Sequence, residues 1–217
     1  MRKLLLTTLA LSVSIIAGTA RADALDTRVE SLARGWAHAN FEIGDKSARA
    51  DAAAKVAAEA DALARQNPGR AEPLVWEAIA KATEAGARGG LGGLALAKDA
   101  KALLERAEKI NPYALGDGSV YTSLGSLYAQ VPGFPIGFGD AAKARAYLRK
   151  ALAANPTGLD ANFFYGDYLV RQKDYAGAAI ALKTAMNAPA RPGREVADRG
   201  RKAEAAALLA EARAKLQ

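Results

Sequence analysis
The sequence predicts an all-α chain, a solenoid of stacked helical hairpins with a capping helix at its C-terminal end. Three observations predict it. Asn-Pro recurs at a fixed interval, with Pro68, Pro112 and Pro156 spaced 44 residues apart. Small and large apolar residues return at the same offsets before those prolines: Ala100, Leu104 and Ala107 before Pro112, then Ala144, Leu148 and Ala151 before Pro156. Residues at such spacings share one face of a helix. No segment alternates apolar and polar residues as a half-buried strand would. A chain built from similar helical units generally binds and seldom catalyses, because one unit cannot bury its own apolar face and the worth of the stack lies in its surface.

Each element follows in order. Leu25, Val29, Leu32 and Trp36 form one stripe of a first helix. Gly44 and Asp45 end the connection after it, and an alanine-rich helix runs from Ser47 to Gln66, closed by Asn67-Pro68. A third helix is expected over Glu72 to Glu84 and a fourth over Leu94 to Ile110, closed by Asn111-Pro112. Gly116, Asp117 and Gly118 make a turn, and Ser119 is placed to cap the helix carrying Tyr121. Asp140 stands four residues before Ala144 and Asp174 four before Ala178, so both are read as N-caps. Asp160 to Arg171 is the next helix. Ala178, Leu182 and Ala185 repeat the earlier spacing, with Pro189 one residue short of its expected place. Arg199 to Leu216 is charged and alanine-rich, suited to cover the open end of the stack.

Upstream of the second helix of the third unit stands Tyr121, then Leu124-Gly125, then Tyr128. An aromatic, Leu-Gly and Tyr, followed by Ala, a bulky residue, Ala and Pro, is the tetratricopeptide pattern. The chain therefore resembles a tetratricopeptide (TPR) protein from about residue 25 to 190. The third unit matches closely, the second and fourth match in their second helix, and the first is degenerate. Small residues such as Gly125, Ala144 and Ala178 let backbones approach, while Tyr121, Leu124, Tyr128 and Leu148 fill the space between. The usual period of that repeat is about 34 residues. The excess falls in two insertions, Gly86–Gly93 and Val131–Phe138, both between the two helices of a unit. Corresponding loops of a solenoid emerge on one edge, so these two are expected side by side, on the edge where function concentrates.

Residues 1–22 read as a secretory leader: Arg2 and Lys3, an apolar stretch from Leu4 to Ala17, and the small-x-small signature Ala20-Arg21-Ala22. Cleavage is expected after Ala22 or Ala24, leaving a single repeat domain from residue 23 to 217 in a bacterial periplasm. The apolar stretch is short for a membrane span, and no second one follows. With no cysteine, a disulfide framework, a zinc–thiolate site and a lipid-bearing cysteine are excluded. Losing Arg2, Lys3 and Arg21 lowers the formal charge from +7 to +4. Basic residues gather late, from Arg191 and Arg194 through Arg199, Arg201 and Lys202. Such an end attracts acidic partners or anionic lipid; the simpler reading is a solvated capping helix. Nucleic acid is not expected, because aromatics do not interleave with these charges.

Chemistry is sparse. His38 is the single histidine, which leaves neither a metal cluster nor a common nucleophile–base pair. The glycine run 89–93 lacks the preceding strand and the Lys-Ser/Thr of a phosphate cradle. No enzyme, cofactor or metal is therefore expected. Two surfaces remain. Phe134, Ile136 and Phe138 carry more apolar surface than a loop leaves wet, so they plug the helices or line a pocket beside Tyr128. By the repeat register, Ser126 and Gln130, then Asp160, Phe163, Asp167 and Arg171, face the concave side.

At this point a closer resemblance emerges. Tyr121-Thr-Ser-Leu-Gly-Ser-Leu-Tyr128, Val131-Pro-Gly-Phe-Pro-Ile-Gly-Phe-Gly-Asp140, Lys143–Leu152, Gly158–Asp167 and Ala188-Pro-Ala-Arg-Pro-Gly-Arg194 resemble the TatT family. These are TPR proteins associated with tripartite ATP-independent periplasmic (TRAP) transporters. The resemblance covers about residues 70–210 and is strongest at 132–140. It implies a periplasmic helper that meets a TRAP substrate-binding protein and hands over a small hydrophobic or organic-acid ligand. Members are often lipoproteins, and this chain has no lipid-acceptor cysteine. The alternative is a general periplasmic scaffold that holds protein segments in its groove through Phe163, Asp167 or Arg171. An exposed apolar edge would in either case favour self-association into a homo-oligomer.

Overall fold
A computed structural model describes the backbone of residues 8–217 and the side chains of residues 24–217. The leader read at residues 1–22 lies outside the residues whose side chains are described. Nine α-helices follow one another among the described residues: α1 (Thr8–Phe41), α2 (Lys46–Gln66), α3 (Glu72–Arg88), α4 (Gly90–Ile110), α5 (Ser119–Gln130), α6 (Ala141–Ala154), α7 (Leu159–Arg171), α8 (Tyr175–Met186) and α9 (Glu195–Ala214). Successive helices pack as hairpins that stack in series, so the chain is an all-α solenoid of helical hairpins. Among the described residues no helix is long and apolar enough to cross a membrane.

The Asn-Pro interval has a local cause. Asn67, Asn111 and Asn155 are the C-caps of α2, α4 and α6, with ψ of 63°, 102° and 81°. A following proline clashes with α-helical backbone at the residue before it, so each helix stops there. Asp45, Asp140 and Asp174 start α2, α6 and α8 by accepting backbone N–H groups of the first turn, which satisfies donors that the helix itself cannot.

The recurring apolar triplets form the seam between inner and outer helices. Ala100, Leu104, Ala107, Ala144, Leu148, Ala151, Ala178, Leu182 and Ala185 are all at 0% exposure. Each buried leucine contributes roughly 1.5–3 kcal/mol by leaving water. The alanines set the spacing, and glycine sets it more tightly. A Cβ on Gly125 would sit 2.6 Å from Leu148 Cγ, and one on Gly166 would sit 2.6 Å from Leu182 Cγ. In each pair the inner helix lies directly against the leucine of its outer partner.

Two expectations are corrected here. The glycine-rich stretch 86–93 is not an inter-helix loop. α3 runs through Gly86 to Arg88 and α4 resumes at Gly90, so the break is confined to Gly89 and Gly90, at φ of 65° and 59°. Ala87, Arg88 and Leu91 between the glycines favour helix, and only two residues need the left-handed backbone that glycine tolerates. Ser119 is the first residue of α5 and not its cap. Asp117 Oδ1 instead accepts the Ser119 backbone N–H at 2.9 Å and the Ser119 hydroxyl.

The last helix does more than cover an end. Ala205, Leu209 and Ala212 of α9 pack into the core of the α7–α8 unit, while Ala197 and Val196 join the core around Leu32 and Trp36 of α1. Phe41 of α1 lies against Gly200, where a Cβ would come within 2.2 Å of its ring. Arg199 and Glu42 approach to 3.9 Å. The stack thus closes into a continuous circuit, with α9 joining its last hairpin to its first helix.

Candidate functional site
That circuit surrounds a cavity of about 1090 Å³. Its walls come from the inner helices α1, α3, α5 and α7, from α9, and from the starts of α2 and α4. The wall is chemically mixed. Ser119, Thr122, Ser123, Ser126 and Gln130 present a polar stripe of α5 to it, at the i, i+3, i+4 spacing of one helical face. Apolar residues line it too, Ile79, Ala82, Leu94, Ala97 and Leu208 among them. Trp36 and Trp76 also line it, and these are the chain's two tryptophans. Their rings lie 5.8 Å apart. Trp36 Nε1 donates to Thr83 Oγ1 at 2.9 Å.

One stretch of wall is charged. Asp160 accepts from Arg191 Nη1 at 2.7 Å and from Arg201 Nε at 3.1 Å. Arg191 also pairs with Asp198, Nη2 to Oδ1 at 2.6 Å, and Arg201 with Glu204 at 2.6 Å. Burial works against the Asp160 charge, yet Arg201 and Arg191 outweigh it and hold the carboxyl below its ordinary range. Burial likewise opposes the Arg191 charge, and Asp160 and Asp198 still raise its pKa. The Arg201 guanidinium lies over the rings of Phe163 and Phe164, at 4.5 and 4.7 Å, a cation–π arrangement worth more where water is excluded. Only 8% of the Arg201 side chain is exposed. The basic C-terminal run is thus not a solvated face throughout: part of it is built into the cavity wall.

The sequence-derived site residues divide. Phe163, Asp167 and Ile136 line the cavity, as do Ser126, Gln130 and Asp160. Asp167 accepts from Gln130 Nε2 at 3.3 Å and from Arg171 Nε at 3.0 Å. Arg171 is not part of the wall, and its side chain is 46% exposed. Tyr128 is buried in an aromatic stack, 5.8 Å from Tyr147 and 5.7 Å from Phe138, so it and Phe138 are packing residues outside the cavity. Phe134 is 93% exposed. The expectation that the loop's three large apolar side chains all leave water is therefore corrected at Phe134, and at Ile136, which stays 66% exposed while bordering the cavity. The loop is too tightly folded to turn its tip inward. Gly139 N–H donates to Pro132 O, Asp140 N–H to Tyr128 O, and Gly137 N–H to Gly133 O, at 2.9 to 3.1 Å. A Cβ on Gly139 would lie 1.9 Å from Val131 O. The 131–138 loop meets α4 just past the glycine run: the Cβ position of Gly137 is 3.3 Å from Leu94 Cδ1.

Trp36, Trp76, Thr122, Arg194 and Arg201 were not among the sequence candidates. The tryptophans carried a signal, since both fall on inner helices, but their apolar stripes read as core. Among the described residues no group of His, Asp and Glu could hold a metal ion. No family model and no curated protein matches this chain.

Proposed function
We propose that this protein is an exported binding protein that holds a small amphipathic molecule in its central cavity. The observation that carries the proposal is the mixed lining: apolar residues and a stripe of α5 hydroxyls around about 1090 Å³, slightly above the roughly 300–1,000 Å³ of small-molecule pockets. A filled apolar core would leave no such space, and a site for an extended polypeptide would be an open groove. The ring of helices joined by α9 favours a small ligand over the general-scaffold reading.

The resemblance of residues 121–194 to the TatT family supplies the biological setting: a TPR-type accessory protein of the periplasm, acting with a TRAP substrate-binding protein in uptake of a small organic acid or hydrophobic ligand. The rim fits that setting. Leu91, Phe134 and Ile136 are 84%, 93% and 66% exposed, and Leu91 and Ile136 line the cavity. Apolar groups left in water at the mouth of a cavity suit a protein that docks there and passes its ligand across. A thermal-shift screen with medium-chain carboxylates, alcohols and dicarboxylates tests the core of the proposal. A binder at a hundredfold excess over Kd adds about 2.7 kcal/mol of apparent stability and quenches or shifts the emission of Trp36 and Trp76. If no amphipathic compound moves either signal, the binding function is wrong. If ligands bind but co-purification with TRAP binding proteins fails, binding stands and the transport setting falls.

A further inference from the structure
Arg194 is the odd member of the charged wall. It caps the start of α9 and lines the cavity. Arg201, also on the wall, and Arg191, which does not line the cavity, are held by Asp160, Asp198 and Glu204 at hydrogen-bond distance. The Arg194 side chain makes no hydrogen bond or ion pair, and its Nε is buried without an acceptor. Its guanidinium instead lies over Trp76, 5.2 Å from the ring centroid. A guanidinium has five N–H donors and no acceptor, and leaving one of them buried without a partner costs free energy. The nearby acids favour its charge only from beyond hydrogen-bond distance. Both Asp160 oxygens face Arg191 and Arg201, both Asp198 oxygens face Arg191, and Asp117 Oδ1 faces Ser119.

A guanidinium that lines the cavity with no acid of the protein at hydrogen-bond distance is placed to take its acceptor from the cavity's contents. We propose that Arg194 is the anchor of an anionic head group, and that the ligand is an amphipathic monocarboxylate whose hydrocarbon part lies against the apolar lining. The inference rests on the binding function above and names its ligand class. A monoanion fits better than a dianion, because Asp160, Asp198 and Asp117 stand close behind Arg194 and would repel a second negative charge. A carboxylate also matches the planar fork of a guanidinium, which can donate to both oxygens. Burial and the neighbouring Arg191 press Arg194 toward losing its charge, and a bound anion relieves both.

The test is calorimetric titration of the full chain with decanoate and with decanol, which share a tail and differ in the head. The expected result is that decanoate binds about ten- to a hundredfold more tightly than decanol, the range of a charge-assisted hydrogen bond. Arg194→Gln abolishes that preference, while Arg194→Lys retains part of it. Equal binding of the two by the native chain overturns the anchor and leaves cavity binding intact. A preference that survives in Arg194→Gln overturns it as well. Failure of both compounds to bind removes the anchor together with the binding function. If Arg194→Gln fails to fold, the native pair and Arg194→Lys still decide.

Discussion
Asp160 carries the clearest single-residue consequence. It belongs to α7, yet its two partners sit around α9, Arg191 just before it and Arg201 in its second turn. One carboxylate therefore ties the last repeat to the closing helix. Its pKa is held below the ordinary 3.8, so its stabilising contribution is complete above that value and disappears as pH falls through the lower folded one. Asp160→Asn is expected to cost about 2 kcal/mol at neutral pH, below the roughly 3–5 kcal/mol of a fully buried pair, because 26% of the side chain remains exposed. The native chain should lose melting temperature steeply below about pH 4, and the variant should show a flatter slope there. Equal slopes in parallel thermal scans would show that Asp160 does not couple to acid. The sequence placed Asp160 on the concave face by register alone. Its partners were hidden, because they lie 31 and 41 residues away in a basic run that local pattern reads as solvated.

At the scale of the element, glycine separates two roles that composition cannot. Gly86 lies inside α3 with nothing within 4 Å of an added Cβ, whereas one on Gly125 would meet both the Leu148 side chain and, at 3.1 Å, its backbone nitrogen. Gly86→Ala is expected to stabilise by roughly 0.5–1 kcal/mol through helix propensity. Gly125→Ala receives the same gain but loses more to forced separation of α5 and α6, a net destabilisation of about 1–2 kcal/mol. Urea midpoints of the two variants should therefore move in opposite directions. This contrast also explains what was legible. The caps at Asp140 and Asp174 were readable because a cap is made within three residues. The glycine run was misread as a loop because a helix can absorb several glycines when only Gly89 and Gly90 need a left-handed backbone. Phe134 was misjudged for another reason: hydrophobicity alone does not say that the turn holding it is locked by its own backbone hydrogen bonds.

At the scale of the molecule, hairpin stacking was legible and closure was not. Stacking is written into every unit as a repeated triplet of buried residues. Closure depends on the small rotation that each unit adds to the next, a sum that no local segment carries. Its contacts are few: Phe41 against Gly200 and beneath the Arg201 guanidinium at 5.4 Å, with Val196 and Ala197 against the α1 core. Phe41→Ala should loosen both ends together, accelerating amide exchange in α1 and α9 while leaving α5 and α6 protected. Acceleration confined to α1 would mean that α9 holds its place through α7 and α8 alone. The same seam sets a limit on how such a chain can change. An open repeat array can lengthen or shorten by whole hairpins, because each touches only its neighbours. Here a duplicated or deleted hairpin would carry α1 and α9 past one another and open the chamber, so its girth is inherited as a fixed count, adjustable only by exchanging the side chains that face inward.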